Sequence, residues 1–176
     1  LDNPFFVKNV FSPDEIEDIR FMATKKWIAA GVYSSKHKGR LEPDARKTDL
    51  MTLDPQWFPD FSHQLLKASD LKDRDLVVRE FQYLRYRKGH FFKSHYDRLE
   101  EVVGGSYRVC STITLVDHTD DLQGGELQIL QNGKYQTVPL EKGQTLFFDS
   151  AKTKHRVTEV LSGVRYSLVA WIHKFV

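Results

Sequence analysis

From Leu76 to the C-terminus the chain is a succession of short apolar runs, each bounded by Gly, Asn or Asp. The runs are 76–86, 107–116, 126–131, 134–139, 144–149, 155–160 and 164–173. Their lengths suit strands and are too short for most helices. Asn132-Gly133 between two runs is a two-residue hairpin signal, because both residues tolerate the positive φ of a type I′ turn. Ser162-Gly163 marks another tight turn. About seven or eight strands in series predict an all-β sandwich or jelly roll.

The first 75 residues have a different character. Pro4–Val7 reads as an edge strand, and Ser12-Pro13-Asp14-Glu15 as a capping box with Pro at the first helical position. Ile16, Ile19, Ala23 and Trp27 follow at helical spacing and predict a helix over 13–28 that packs on a sheet. Tyr33–Lys47 is polar and without period, so it reads as a loop; Thr48–Leu53 reads as a strand. Asp54-Pro55 opens a second helix whose apolar positions are Trp57, Phe58, Phe61, Leu65 and Leu66. The expectation is one domain over 1–176, with 1–75 as helical support and 76–176 as the β core.

Composition bounds the function classes. No apolar run approaches the ~20 residues of a membrane helix. Charges interrupt Leu1–Val10, which is therefore not signal-like, and a single cysteine, Cys110, excludes an internal disulfide framework. A soluble, cytoplasmic protein is the expectation, with a targeting segment ahead of Leu1 left open. Basic residues cluster at Lys36–Arg40, Arg46-Lys47 and Arg85–Lys88, yet the net charge is only +2. Solvated surface accounts for them better than a nucleic-acid or acidic-peptide partner does.

Chemistry converges on Tyr86-Arg-Lys-Gly-His-Phe-Phe-Lys-Ser-His95-Tyr-Asp97. In an extended chain, residues i and i+2 share a face, so the His95 imidazole and Asp97 carboxylate approach one point. A second histidine completes two imidazoles and one carboxylate on one side of a metal, a set suited to non-haem Fe(II) with open positions. His155 is read as that histidine. The rival triplet His118-Thr-Asp120 lies in an Asp-rich turn and reads as exposed. His37, His63, His90 and His173 are assigned to the surface or to satisfied core positions. In the last run Arg165, Ser167, Val169 and Trp171 alternate with Val164, Tyr166, Leu168, Ala170 and Ile172. The second set should pack under the helices and the first should line a polar pocket. The turn at Ser162-Gly163 predicts a hairpin that brings His155 and Arg165 to different depths of one cavity. A buried guanidinium requires an anion, and a dicarboxylate supplies one.

These pieces resemble the Fe(II)- and 2-oxoglutarate-dependent dioxygenases, specifically the prolyl 4-hydroxylase-like group. The matching segments are Tyr86-x-x-Gly-x-x-Phe-x-x-His95-x-Asp97, Ser111–Leu115, Gly124-Gly125-Glu126-Leu127, Gly143-x-x-Leu-Phe-Phe148, His155-x-Val157 and Gly163-x-Arg165-Tyr-Ser-Leu-x-x-Trp171. The resemblance implies a double-stranded β-helix, iron held by His95, Asp97 and His155, and 2-oxoglutarate gripped at its distal carboxylate by Arg165 with Tyr86. Thr114 is carried over as a further co-substrate contact, at a position where some relatives have Tyr. Arg98 is assigned to the substrate side, and Trp171 either to the substrate mouth or to filling the barrel end. The implied reaction consumes O2 and 2-oxoglutarate, releases succinate and CO2, and uses ascorbate to keep iron ferrous. The leading expectation is hydroxylation of prolyl residues in a peptide or protein. The alternatives are a free amino acid or small-molecule hydroxylase and an inactive β-barrel binding module. Nucleic-acid demethylation is disfavoured, because Trp171 stands where those enzymes typically carry a second Arg.

Overall fold

The computed structural model describes residues 4–22, 26–32, 40–53, 59–98, 102 and 104–176. In chain order the elements are β1 (Phe5–Asn9), α1 (Pro13–Met22), β2 (Ile28–Ala29), β3 (Arg46–Lys47), β4 (Asp49–Leu53), α2 (Pro59–Ala68), β5 (Leu76–Tyr86), β6 (Phe91–His95), β7 (Ser106–His118), β8 (Gln123–Gly124), β9 (Leu127–Gln131), β10 (Lys134–Thr137), β11 (Gln144–Asp149), β12 (His155–Val157), β13 (Val160–Ser162) and β14 (Arg165–Phe175). The major sheet has the order β1-β11-β7-β14-β5-β4-β2, the minor sheet β10-β9-β12-β6-β3, and β13 pairs with β8. Every pairing is antiparallel. This is the jelly-roll core with helical support that the sequence predicts.

The alternation of β14 creates the two layers. Leu168, Ala170 and Ile172 face α1 and α2, in one cluster with Ile16, Ile19, Phe61 and Leu65. Val169 and Trp171 face the other way, in a cluster with Leu127, Ile129 and Val157 of the minor sheet. Each of the larger apolar side chains among these gains about 1.5–3 kcal/mol from full burial, so a one-residue slip of β14 would forfeit both faces together. Helix α1 starts where the capping box predicts: the Glu15 N–H donates to Ser12 Oγ at 3.2 Å and the Ser12 N–H to Glu15 Oε1 at 2.9 Å. Gln64 Nε2 donates to Glu15 Oε2 at 2.7 Å, which ties α2 to the same cap.

Several expectations need correction. Trp27 lies outside α1, whose helix ends at Met22; its ring stacks on Tyr83 at 5.4 Å beneath the Arg85 guanidinium. Arg85 and Arg87 of one basic cluster, read as solvated surface, share the Asp49 carboxylate. The expected start of α2, with Trp57 and Phe58, lies outside the described residues, as do Ala23 and His37. Strand β6 was not among the predicted runs, because Phe91-Phe-Lys-Ser-His shows no alternation; its order comes from pairing with β12 and β3. The run 155–160 divides into β12 and β13, since Thr158 and Glu159 leave the minor sheet. At that crossing the Gly124 backbone, at φ +73°, lies so close to Glu159 that a Cβ would stand 2.0 Å from its carbonyl oxygen. Only glycine fits there. The predicted hairpin between His155 and Arg165 does not form either. Strand β12 belongs to the minor sheet and β14 to the major one, so the two residues stand on opposite sheets.

Candidate metal centre

His95 closes β6 and His155 opens β12, and the two are direct partners in the antiparallel pairing. Their rings stand 4.2 Å apart. Asp97 follows two residues after His95, with Tyr96 between them turned outward and 51% exposed. The extended backbone thus sends His95 and Asp97 to one side, as the spacing predicts. His95 Nε2 is 3.1 Å and His155 Nε2 3.4 Å from Asp97 Oδ1. Among the described residues these three form the one group of His, Cys, Asp or Glu able to hold a metal, with ligand atoms all within 4.8 Å of one another. Ligands ~2.1 Å from one ion and at right angles would stand ~3 Å apart, so the spacing fits a shared metal.

The surroundings prepare the donor atoms. His95 Nδ1 lies 2.7 Å from the Lys93 carbonyl and His155 Nδ1 3.2 Å from the Thr153 carbonyl. In both cases the partner is two residues earlier. A carbonyl only accepts, so each Nδ1 carries the proton and each Nε2 presents its lone pair. Burial lowers the His155 pKa to about 4, with His95 adding to the shift and Asp97 opposing it. The ring is neutral at pH 7, the form that binds metal. For Asp97, burial works to raise the pKa, but His155, His95 and Arg108 outweigh it and hold the carboxyl well below the usual carboxylate range. Its second oxygen, Oδ2, accepts from Trp171 Nε1 at 3.0 Å, which leaves Oδ1 for the metal. Arg108 stacks 3.9 Å over the Trp171 ring, donates to the Asp97 carbonyl at 3.0 Å, and pairs with Glu80. Glu80 sits at φ +60° where β5 shifts register against β14, a bulge that aims it at Arg108.

His95, Asp97, Arg108, His155 and Trp171 line a cavity of about 910 Å³ between the two sheets. Tyr86 lines it as well, 1% exposed, with its hydroxyl bonded to Thr48 and close to Arg46 and Arg165. Burial raises the Tyr86 pKa against the pull of both guanidinia, so the hydroxyl remains a donor. Arg165, the direct cross-strand partner of Tyr86, is 5% exposed and donates to Ser167 Oγ at 2.6 Å. Among the described residues no carboxylate forms an ion pair with it, and burial lowers its pKa. A buried guanidinium without a counter-charge is a place for an anionic ligand.

Of the residues named from sequence, His95, Asp97 and His155 converge, Arg165 lies beside Tyr86, and Trp171, expected at the substrate mouth or as barrel filler, holds Asp97 instead. Arg98 stands at the cavity mouth, exposed and stacked on Tyr107. Thr114 is a correction. It is opposite Leu168 on the helix-covered face, and its hydroxyl shares a hydrogen bond of 2.7 Å with Thr145. The neighbouring Ile113 faces the cavity instead. His118 lies at the end of β7, its Nδ1 2.9 Å from the Thr119 carbonyl, and Asp120 is exposed. Three residues escaped the sequence reading: Arg46, Arg108 and Glu80. A guanidinium within the apolar run 107–116 was a usable signal for Arg108. Nothing local marked Arg46 or Glu80.

Residues 81–173 match the family described as 2OG-Fe(II) oxygenase superfamily. A PKHD-type hydroxylase of Shewanella baltica is 26% identical over 97% of this chain and 78% of its own length. A PKHD-type hydroxylase of Prochlorococcus marinus is 29% identical over 84% of this chain and 64% of its own. Among solved structures, a Pseudomonas putida prolyl-4-hydroxylase superposes with a TM-score of 0.73 at 20% identity, covering 97% of this chain and 93% of that one. A Trichoplax adhaerens prolyl hydroxylase, solved with a hypoxia inducible factor peptide fragment, gives 0.69 at 12% identity, covering 98% and 84%. With the family match spanning the strands that carry both histidines, the aspartate and the buried arginine, the chain belongs to the 2OG-Fe(II) oxygenase superfamily and is a 2-oxoglutarate-dependent dioxygenase.

Proposed function

We propose that the protein hydroxylates prolyl residues within a peptide or protein. In this reading His95, Asp97 and His155 hold Fe(II), and Arg165 with the Tyr86 hydroxyl grips the distal carboxylate of 2-oxoglutarate. When bound, iron with O2 and 2-oxoglutarate supplies the oxidising power that turns C–H into C–OH, with succinate and CO2 as the other products. The chain does the rest. The two Nδ1–carbonyl bonds fix the imidazoles, Trp171 orients Asp97, and the apolar walls Leu84, Ile113 and Val169 keep water from the reacting centre.

The observation that carries the peptide reading is the mouth. Ile28, Leu41 and Tyr96 line the cavity while 54%, 59% and 51% exposed, an apolar rim suited to a polypeptide lying across the opening. The named prolyl hydroxylases among the structural relatives, one of them bound to a peptide, support the same choice. Ascorbate as the reductant and a reducing compartment belong to this reading; the free, buried Cys110 is consistent with the latter. Among the described residues no helix is long and apolar enough to cross a membrane. The test is succinate release and peptide mass spectrometry with proline-containing peptides, iron, ascorbate and 2-oxoglutarate. A gain of one oxygen on proline is expected. Turnover stimulated only by free amino acids or other small molecules would overturn the peptide reading.

A further inference from the structure

The cavity lining carries three guanidinia, Arg46, Arg98 and Arg108, against one carboxylate, Asp97. Two of the three are accounted for. Arg98 is exposed on Tyr107, and Arg108 has Glu80 as its counter-ion. Arg46 is half-buried beside the Tyr86 hydroxyl, and among the described residues it forms no ion pair. Its Nη1 donates to the Gly31 carbonyl at 2.9 Å and its Nη2 reaches Gln82 Oε1 at 3.5 Å. Its Nε is buried without any hydrogen-bond partner. Burial accordingly pushes the guanidinium pKa down, against the pull of Tyr86 and Asp97. A charged group in that condition is costly unless a ligand completes it.

Its position says which ligand. Arg46 is paired with Phe92 across β3 and β6, and its guanidinium stacks on that ring at 4.5 Å. Phe92 in turn stacks on His95 at 3.6 Å. One aromatic layer therefore separates Arg46 from a metal ligand. On its other side Arg46 holds Gly31, in the segment that contributes Ile28 and Val32 to the cavity mouth. The group lies between the metal centre and the entrance, where the molecule to be oxidised has to pass, whereas Arg165 is buried in β14 of the opposite sheet. We propose that Arg46 is a second carboxylate-binding subsite, and that the substrate of this enzyme carries a carboxylate within about one residue of the oxidised carbon. A planar guanidinium that lines the cavity, with no ion pair among the described residues, suits a carboxylate, to which it offers charge-assisted hydrogen bonds. On the prolyl reading, on which this substrate class rests, the carboxylate is that of a C-terminal proline or of an Asp or Glu beside it.

The experiment uses iron-loaded enzyme saturated with 2-oxoglutarate under anaerobic conditions, with calorimetric titration of matched acid and neutral probes. The probes are N-acetylproline and its methylamide, blocked Glu-Pro and Gln-Pro, blocked Pro-Glu and Pro-Gln, and N-acetylleucine and its methylamide. At least one acid binds about tenfold or more tighter than its neutral twin. Arg46→Gln removes that preference and leaves the 2-oxoglutarate affinity within about twofold, while Arg46→Lys keeps the charge and part of the preference. Equal binding within every pair, no binding of any acid, or a preference that survives in Arg46→Gln overturns the subsite. Weakened 2-oxoglutarate binding in Arg46→Gln, with no change in probe preference, assigns Arg46 to the co-substrate and also overturns it. A preference shown by the leucine pair alone sinks the prolyl reading and leaves the subsite standing. Hydroxylation of proline peptides regardless of charge does the reverse.

Discussion

Replacing Trp171 by Phe deletes one N–H and keeps most of the ring. The lost donor is Nε1, 3.0 Å from Asp97 Oδ2. The acceptor is an ionised carboxylate only 7% exposed, so the bond is charge-assisted. Such a bond contributes about 1.5–3 kcal/mol. In the metal-bound protein the effect falls on a ligand that loses its orientation, and loss of a supporting partner of this kind weakens metal binding about 10–100-fold. The two estimates agree, since about 1.4 kcal/mol is tenfold. The Arg108 stack, 3.9 Å above the ring, has an aromatic partner in either variant, so the substitution isolates the hydrogen bond. The assay is anaerobic competition for Fe(II), or for Co(II) as a spectroscopic substitute, against a chelator of known affinity. A metal affinity unchanged within about twofold, in a variant whose unfolding curve shows it is folded, would refute the reasoning.

Three further outcomes follow from the same geometry. Arg165→Gln raises the dissociation constant for 2-oxoglutarate about tenfold or more while Fe(II) affinity holds, as titration of each ligand will show. Gly124→Ala places a Cβ 2.0 Å from the Glu159 carbonyl at φ +73°, so urea unfolding should show a loss of several kcal/mol, on the order of the largest single-residue effects. His173 is buried against Ser106, and burial together with Arg108 lowers its pKa from 6.5 to about 4. Its neutral form is favoured by the fold, so the unfolded chain binds the extra proton between those values. Its contribution to stability is therefore intact above 6.5 and is lost as pH falls toward 4; His173→Gln flattens that part of the denaturation profile.

How much of this was visible in the chain itself depends on whether the signal was local. The alternation in 164–173 separates a helix-packed face from a cavity face, and the two faces carry those residues in the fold. The His95-x-Asp97 spacing needs only an extended backbone, and that is what β6 and the residue after it provide. Thr114 fails because parity within a strand decides everything: one residue either way exchanges the cavity for the helix layer, and the register shift between Tyr166 and Ser167 resets the count. The pairing of β12 with β6, across some sixty residues, left no local trace, so a hairpin to β14 looked natural. Arg46 was hidden for the same reason. Its partners Phe92, Gln82 and Gly31 come from three separate segments, and a basic residue in a polar stretch reads as surface until they assemble around it.

The bond from Trp171 to Asp97 has a mechanical consequence. Trp171 belongs to the major sheet and Asp97 hangs from the end of the minor one, so this contact, together with Arg108 on the Asp97 carbonyl, rivets the two halves of the shell beside the proposed iron site. Any gaping of the shell loosens the ion's grip, and any loss of the ion frees the shell to gape. Iron occupancy and the closeness of the two walls are then one variable, and amide exchange along β6 and β12 should speed up as iron is withdrawn.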